Sequence, residues 1–354
     1  MTNERTQADF DRHATPAAHG YRMPPEWHRH TATWLTWPKD PLTWPDRVAQ
    51  AEAAYLQIMA ALAPHEQVNL LVDDEATETA VRVRCNFPHA ENINFIRLPT
   101  VDSWIRDYGP NFVINDAGAL AYNDWEFNAW GDKYEELKRD SAIPAQLENL
   151  LRVPRFVPGI VLEGGAIDVN GAGIVMTTEQ CLLNPNRNPH LERREIEQYL
   201  KDYLGGAQVL WLGEGIVGDD TDGHIDDIAR FVAPDTIVCA LEDDPADANY
   251  KLLRDNYRRL QHATDTRGRP FEIVTLPMPG AVFGREDRLP ASYANFYIAN
   301  GVVLAPVFGH ANDARAVETL QRVFADRRVV AINAAALVWG MGTIHCLTQQ
   351  QPAA

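Results

Sequence analysis

The chain has 354 residues, of which 45% are hydrophobic, and a formal net charge of −17. This composition is typical of a folded globular protein with a sizeable core and argues against a disordered chain. The acidic surface repels phosphate backbones and disfavours a nucleic-acid partner, whereas it either attracts a small cationic substrate or serves only solubility.

The N-terminus and the cysteines indicate the compartment. Residues 1–20 are polar and have no apolar secretory segment, so we expect a flexible tail followed by a single domain over residues 21–354. No run of about 18 apolar residues occurs, and no contact with a membrane is expected. The four cysteines form no CxxC pair, which fits reduced thiols in a cytoplasmic protein.

Short apolar runs alternate with stretches of helical spacing along the chain. Apolar residues at three- and four-residue steps predict helices over 48–62, 196–204, 250–260 and 317–324. Strands are predicted in ATWLTWP, VNLLVDD, INFIRLP, NFVIND, GIVMTT, VLWLGEG, ARFVAPDTIVCAL, FEIVTLP, FYIANGVVLAPV and VVAIN. The pattern recurs about every 60–70 residues and indicates nearly five copies of one α/β unit. A doubly wound sheet is the alternative, but no phosphate-binding glycine motif follows any strand.

Five segments carry more polar and glycine residues than a turn requires. They are residues 104–110, 162–165, 218–227, 292–296 and 340–346. Most of them adjoin a predicted strand end, so their side chains are expected to share one pocket. In the last segment, Gly342 lets backbone approach a ligand, and Cys346 is the candidate nucleophile. A buried thiol that serves only packing is the alternative for Cys346, and it is our interpretation of Cys85, Cys181 and Cys239.

His224 and Asp226 form an H-x-D unit, and on a strand both would point to one face. A histidine can transfer protons and a carboxylate can hold a cation, although a loop histidine among solvated acids is the alternative. The GDDTDG run lacks the twelfth-position glutamate of a calcium loop, and no zinc-ligand spacing occurs, so no metal is predicted. Asp107 and Glu163 are either site acids or ordinary turn residues.

Eight stretches together resemble one enzyme family across nearly the whole chain. They are ATWLTWP, WIRDYGPNFVIN, DWEFNAWGDKY, LEGGAIDVNGAG, CLLNPNRNPHL, GDDTDGHIDD, LPASYANFYIANGVVLAP and IHCLTQQQPA. The chain resembles the agmatine deiminase branch of the guanidino-group-modifying enzymes, close to bacterial peptidylarginine deiminases. The resemblance implies a pentein fold, a five-bladed α/β propeller of ββαβ-type units with pseudo-fivefold symmetry.

The resemblance also implies the roles of individual residues. Cys346 matches the nucleophile, His224 the general acid/base, Asp107 and Asp226 the guanidinium clamp, and Glu163 the acid that supports the histidine. Trp104, Asn295 and Gly342 match positions that contact the substrate. The implied reaction converts agmatine and water to N-carbamoylputrescine and ammonia, as in putrescine biosynthesis, with no cofactor. A homo-oligomer is compatible with the sequence.

Three other functions stay open from the sequence. The chain could act on another guanidino compound or on peptidyl-arginine with the same chemistry. It could be a Cys-His-Asp amide hydrolase, which needs an oxyanion hole rather than two clamping acids. It could also be a binding protein that has lost catalysis on the same scaffold.

Overall fold

The computed structural model describes residues 14–285 and 287–354, so residues 1–13 of the predicted tail lie outside the described residues. It is a mixed α/β protein with five small sheets. In spatial order, the first sheet contains Tyr21–Arg22, Asn111–Asn115, Leu120–Asn123 and Arg155–Phe156, and the second contains Gln208–Leu212, Ile174–Thr178 and Asp168–Val169. The third contains Ala229–Ala233, Thr236–Leu241 and Glu272–Pro277, and the fourth contains Tyr297–Ala299, Val302–Val307 and Arg328–Asn333. The last contains Gln349–Pro352, His30–Thr36, Gln67–Val72 and Ile93–Arg97.

Each sheet contains an antiparallel pair followed by a parallel neighbour. The first sheet adds a second antiparallel pair through Tyr21–Arg22, and the last adds a second parallel pair through Ile93–Arg97. Parallel neighbours need a crossover, which here contains helical structure in every case. The predicted alternation of short apolar strands with helical stretches therefore corresponds to five sheets built on one plan.

The helices differ widely in length. The α-helices are Val48–Leu62, Glu75–Arg84, Ile105–Tyr108, Ala129–Asp132, Ile143–Gln146, Glu148–Leu151, Glu179–Leu182, Arg193–Leu204, Asn249–His262 and Asp313–Val323. Short 3₁₀ helices lie at Ala17–His19, Ala90–Asn92, Glu135–Ala142, Gly164–Ala166, Ile225–Asp227 and Leu337–Gly340. None of the helices in the described ranges is long and apolar enough to cross a membrane.

The four predicted helices form where their apolar spacing places them. The first buries Tyr55 and Ile58 completely on one face, because residues three and four apart lie on the same side of a helix. The helix Arg193–Leu204 begins with a reciprocal capping box between Glu192 and Glu195 and ends at Gly205 in a left-handed conformation. Local sequence signals therefore agree with the tertiary packing of these crossovers.

The last sheet, which we call the closing sheet, joins the two ends of the described chain. Its strand Gln349–Pro352 pairs antiparallel with His30–Thr36, with Gln349 opposite Trp34. This pairing brings the segment that contains Cys346 into the interior.

Candidate active site

Five loops in equivalent positions contribute the candidate site residues. Each loop lies immediately before the first strand of the antiparallel pair in one of the five sheets. The five residues, in chain order, are Asp107, Glu163, His224, Asn295 and Cys346. All five are at most 6% exposed. The common position explains how residues so distant in sequence reach one region.

Cys346 is held close to an oriented amide. The Asn295 oxygen accepts hydrogen bonds from the Thr343 hydroxyl at 2.6 Å and from the backbone N–H of His345 at 3.0 Å. Its Nδ2 group therefore faces the Cys346 sulfur, at 3.2 Å. An N–H donor at this position favours an ionised sulfur. Asn295 thus contacts the thiol itself rather than the open cavity.

Two glycines make room for this arrangement. A Cβ atom on Gly342 would lie 2.7 Å from the Trp104 ring and 3.2 Å from the Cys346 sulfur. A Cβ atom on Gly165 would lie 2.5 Å from His224 Nδ1, 2.9 Å from an Asp107 oxygen and 3.1 Å from an Asp226 oxygen. The three polar side chains therefore converge on one point, where any residue larger than glycine would displace them.

Asp107 is fixed by two donors. Its Oδ1 accepts a hydrogen bond from the backbone N–H of Gly165 at 2.9 Å, and its Oδ2 accepts one from the Trp130 ring N–H at 2.9 Å. His224 Nδ1 lies 3.9 Å from Asp107 Oδ1. The carboxylate is thus oriented before any ligand arrives.

Asp226 is anchored on one side only. Its Oδ2 accepts a hydrogen bond from His345 Nδ1 at 2.7 Å and lies 3.7 Å from the Cys346 sulfur. Its Oδ1 is buried and has no hydrogen-bond partner in residues 14–285 and 287–354. Because a buried carboxylate oxygen without a donor is unfavourable, Asp226 is suited to receive an N–H group from a ligand.

The prediction that His224 and Asp226 lie on a strand is wrong. His224 is the N-cap residue, immediately before the 3₁₀ helix Ile225–Asp227. The Asp219 carboxylate accepts hydrogen bonds from the backbone N–H groups of Gly223 at 2.9 Å and His224 at 3.1 Å, which bends the chain into a loop. The two side chains nevertheless reach the same region, because one turn of 3₁₀ helix brings them together.

His224 lies beside a second thiol that the sequence analysis assigned to packing. Glu163, Cys181 and His224 each offer one potential metal-ligand atom, and these three atoms lie within 4.8 Å of one another. Within the described part of the chain, no hydrogen-bond partner is found for either ring nitrogen of His224 or for the Oε2 atom of Glu163. This trio has the residue types of a metal site, but Glu163 Oε1 accepts a 2.6 Å hydrogen bond from Arg187, whose positive charge opposes a bound cation.

Burial and charge set the protonation of these groups. Burial, together with Asp226, Asp227 and Asp107, raises the pKa of Cys346 well above its usual value. Burial alone would lower the pKa of His224, but Asp107 and then Cys181 and Glu163 raise it well above its usual value. Without a ligand, a neutral thiol therefore lies near an imidazolium.

The two aspartates differ in protonation behaviour. Burial, only partly offset by His224, raises the pKa of Asp107. Burial also acts to raise the pKa of Asp226, but the hydrogen bond and charge of His345 lower it overall. Asp226 is therefore the more firmly ionised of the pair. An arriving cation would favour ionisation of Asp107 and of the thiol.

A cavity of about 570 Å³ leads to Cys346 and Asp107. Its walls include the aromatic residues Trp104, Trp130, Tyr134 and Trp339, and Gly342 lies on the same wall. The acids along it are Asp40, Asp102, Asp107, Glu135, Glu136 and Asp220, with no lysine or arginine among the described lining residues. His224, Asp226, Glu163 and Asn295 lie one layer behind this wall. The cavity suits a slender cation with an apolar middle.

Four residues of the region were not singled out from the sequence: Trp130, Cys181, Arg187 and His345. Trp130 and Arg187 lie in DWEFNAWGDKY and CLLNPNRNPHL, which carried the family resemblance, and that membership was the available signal. Their roles depend on contacts with residues far away in sequence, which no local pattern reveals.

Comparison with known proteins places the chain among deiminases. Residues 22–352 match the family model of the Porphyromonas-type peptidyl-arginine deiminase. An agmatine deiminase from Pseudomonas syringae pv. syringae is 40% identical over 363 residues, covering 96% of this chain and 98% of the relative. The structure of the Enterococcus faecalis agmatine deiminase matches with a TM-score of 0.90 at 36% identity, covering 96% of this chain and 98% of that one.

A more distant likeness concerns the fold alone. The structure of DDAH from Pseudomonas aeruginosa in complex with citrulline matches with a TM-score of 0.51 at 12% identity, covering 91% of this chain and 99% of that one. The five small sheets are thus an architecture that persists at very low sequence identity.

Proposed function

This chain belongs to the Porphyromonas-type peptidyl-arginine deiminase family, and on that premise we propose that it hydrolyses agmatine to N-carbamoylputrescine and ammonia. The observation that carries the proposal is the meeting of the Cys346 thiol with two buried carboxylates, one of which has an unpaired oxygen. A planar cation with several N–H donors is the ligand that such a pair of acids would bind.

The proposed reaction begins with the guanidinium between Asp107 and Asp226. Its charge favours the thiolate of Cys346, and the Asn295 amide N–H further stabilises the anion. The thiol proton leaves to solvent when the substrate binds, and the sulfur then attacks the guanidinium carbon and forms a C–S bond. His224, as an imidazolium, donates a proton to the departing nitrogen, and the C–N bond breaks with release of ammonia.

Hydrolysis of the amidino-thioether completes the cycle. His224, now neutral, accepts a proton from a water molecule, whose oxygen attacks the same carbon. The C–S bond then breaks, the sulfur leaves as the thiolate, and the ureido product is released. Glu163 and Cys181 lie beside His224 and influence its proton affinity. The hydroxyl proton of the adduct replaces the proton that the thiol lost to solvent, and His224 performs the other proton transfers, so the scheme requires no cofactor.

The cavity favours agmatine over free arginine as substrate. An apolar chain would pack between Trp104 and Trp130, and a terminal ammonium would lie near the acids of the wall, such as Asp220. The α-carboxylate of arginine would instead meet these acids without a cationic partner among the lining residues. The cationic substrate also fits the net charge of −17, and we place the enzyme in the cytoplasm.

We further propose that residues 21–354 form one pentein domain, in which the five sheets are blades around a pseudo-fivefold axis. The repeated plan of one antiparallel and one parallel pair in each sheet supports this arrangement. So does the convergence of the five equivalent loops.

Ammonia release measured with agmatine, arginine and an arginyl peptide tests the proposal. We expect the wild type to prefer agmatine, and C346A to lose at least about 10³-fold in turnover. C239A is the matched control, because Cys239 is a fully buried thiol in a distant strand. Undiminished turnover by C346A would remove Cys346 as nucleophile, and a preference for the peptide would reassign the substrate.

A further inference from the structure

A cluster of buried charges lies directly behind Asp226. We call it the ion network and define it as Glu26, Arg106, Asp168, Arg230 and His345, each at most 6% exposed. Arg230 contacts Glu26 at 2.8 Å and Asp168 at 2.7 Å, and Arg106 contacts Glu26 at 3.4 Å. These residues come from distant parts of the chain, so the network exists only in the folded protein.

His345 connects this network to the site. Its Nε2 lies 2.7 Å from Glu26 Oε2, and its Nδ1 lies 2.7 Å from Asp226 Oδ2. Charged partners lower the pKa of both carboxyl groups despite their burial, so both are ionised at neutral pH. The His345 ring therefore bridges the two carboxylates through two short hydrogen-bonding contacts.

This bridge leaves the two oxygens of Asp226 with different tasks. Oδ2 is engaged by His345, while Oδ1 has no partner. Rotation of the carboxylate would break a charge-assisted hydrogen bond in a buried environment, which is unfavourable. The free oxygen is thereby kept in one position.

We propose that His345 is a positioning residue, which, with Glu26 behind it, fixes Asp226 so that its free oxygen meets the substrate guanidinium. The inference rests on the proposed function for the identity of the ligand. It extends that function by assigning a role to the residue next to the nucleophile and to a glutamate near the start of the described chain. Neither residue needs to touch the substrate.

The backbone of His345 has a separate task that side-chain substitution leaves intact. Its N–H donates to the Asn295 oxygen, and its C=O accepts a 3.2 Å hydrogen bond from Arg106 Nε. Replacing the imidazole therefore tests the bridge without removing the contacts that orient Asn295 toward Cys346.

Removing the imidazole also has a defined consequence for pH dependence. The charged and titratable groups that face Asp226 are His345, His224, Arg230, Cys346, Asp107, Asp219 and Asp227. His345 is the largest favourable influence on the ionised form of Asp226. Its loss raises the pKa of Asp226, so the acid limb of kcat/KM moves to higher pH.

The experiment compares H345Q with H30Q. His30 is a control for the loss of a buried bridging imidazole, because its ring contacts Glu66 at 3.3 Å and, at 2.7 Å, the backbone oxygen of Glu26 rather than its carboxylate. We expect H345Q to lower kcat/KM for agmatine about 100-fold and to shift the acid limb upward, and H30Q to do neither. In a C346A background, calorimetry should show weaker agmatine binding for H345Q.

E26Q keeps the experiment informative if H345Q does not fold. It should shift the acid limb in the same direction by a smaller amount, since the His345 ring keeps its contact with Asp226 but loses the charge of Glu26. An unchanged acid limb in H345Q or E26Q, or an equal loss of activity in H30Q, would overturn the positioning role.

A spectroscopic measurement is independent of the substrate. ¹⁵N-histidine NMR of the wild type, with the His345 signals assigned from their absence in H345Q, should give ring-nitrogen chemical shifts that E26Q and D226N each change, because each substitution alters one of the two bridging contacts. Ring signals that neither substitution moves would overturn the inference. Absence of agmatine turnover in the wild type would instead overturn the proposed function, so the two failures are distinguishable.

Discussion

Two buried polar regions lie next to each other in this protein, and they differ in how completely their hydrogen bonds are satisfied. In the ion network, no fully buried side-chain nitrogen or oxygen atom is left without a hydrogen-bond partner among the described residues. In the site, Glu163 Oε2, both ring nitrogens of His224 and Asp226 Oδ1 have none. These are four of the eight buried, unpartnered side-chain atoms found in the described ranges.

The difference separates structural support from readiness to bind. A satisfied buried network specifies one arrangement, whereas unpartnered buried groups are unfavourable until a ligand supplies the missing contacts. Buried charge alone therefore does not identify the functional site in this protein. The site is identified by buried polar atoms that lack hydrogen-bond partners beside a nucleophile.

The largest expected effect comes from changing the unsatisfied region. Asp226→Asn can keep an oxygen toward His345, but it then turns an N–H group toward the guanidinium N–H groups. We expect kcat/KM for agmatine to fall about 10³-fold, while the free energy of unfolding falls by no more than about 2 kcal/mol. Steady-state kinetics and urea unfolding measure the two quantities. A loss of unfolding free energy that exceeds the loss of kcat/KM, with both expressed in kcal/mol, would contradict the assignment of Asp226 to substrate binding.

The satisfied region should respond in the opposite way. Arg230→Met leaves Glu26 and Asp168 without their shared cation, and we expect a loss of about 3–5 kcal/mol in the free energy of unfolding. Arg193→Met is the control, because the exposed pair of Arg193 with Glu179 should contribute less than about 1 kcal/mol. Equal urea midpoints for the two variants would contradict the structural role of the network.

The smallest expected effect concerns Cys181, which lies beside His224 in the site. Its thiol helps raise the pKa of His224, so Cys181→Ala should lower that pKa and move the alkaline limb of kcat/KM to lower pH. We expect a loss of about 5-fold in kcat/KM, equivalent to about 1 kcal/mol. Cys239→Ala serves as the comparison variant. Superimposable pH profiles for wild type and Cys181→Ala would assign Cys181 to packing alone.

The sequence predicted the family and most of the framework, since the family match confirms the resemblance and the four helices with clear apolar periodicity are present. It missed the helix Glu75–Arg84, in which only Val81 is buried, because periodicity cannot reveal a helix with almost no buried face. It also missed the strand Gln349–Pro352, which pairs with His30–Thr36 and in which the polar residues Gln349 and Gln350 are buried.

The site was predicted in its residue types but not in its geometry. Family motifs pointed to Cys346, His224 and Asp226, and the structure brings them together, while their catalytic roles remain predictions. The bridge from His345 to Glu26 spans 319 positions in sequence and leaves no local pattern. Turn chemistry around Asp219, rather than strand alternation, decides where His224 lies.

The closing sheet has a consequence for the order in which the enzyme matures. The strand His30–Thr36 is synthesised early but acquires its antiparallel neighbour, Gln349–Pro352, only after nearly every other element exists. Contacts of such long range form slowly, because the intervening chain must first be ordered. Cys346 lies just ahead of that late strand. The active site should therefore form only in the last step of folding. In partly folded chains, Cys346 would not yet lie in its place beside the other site residues.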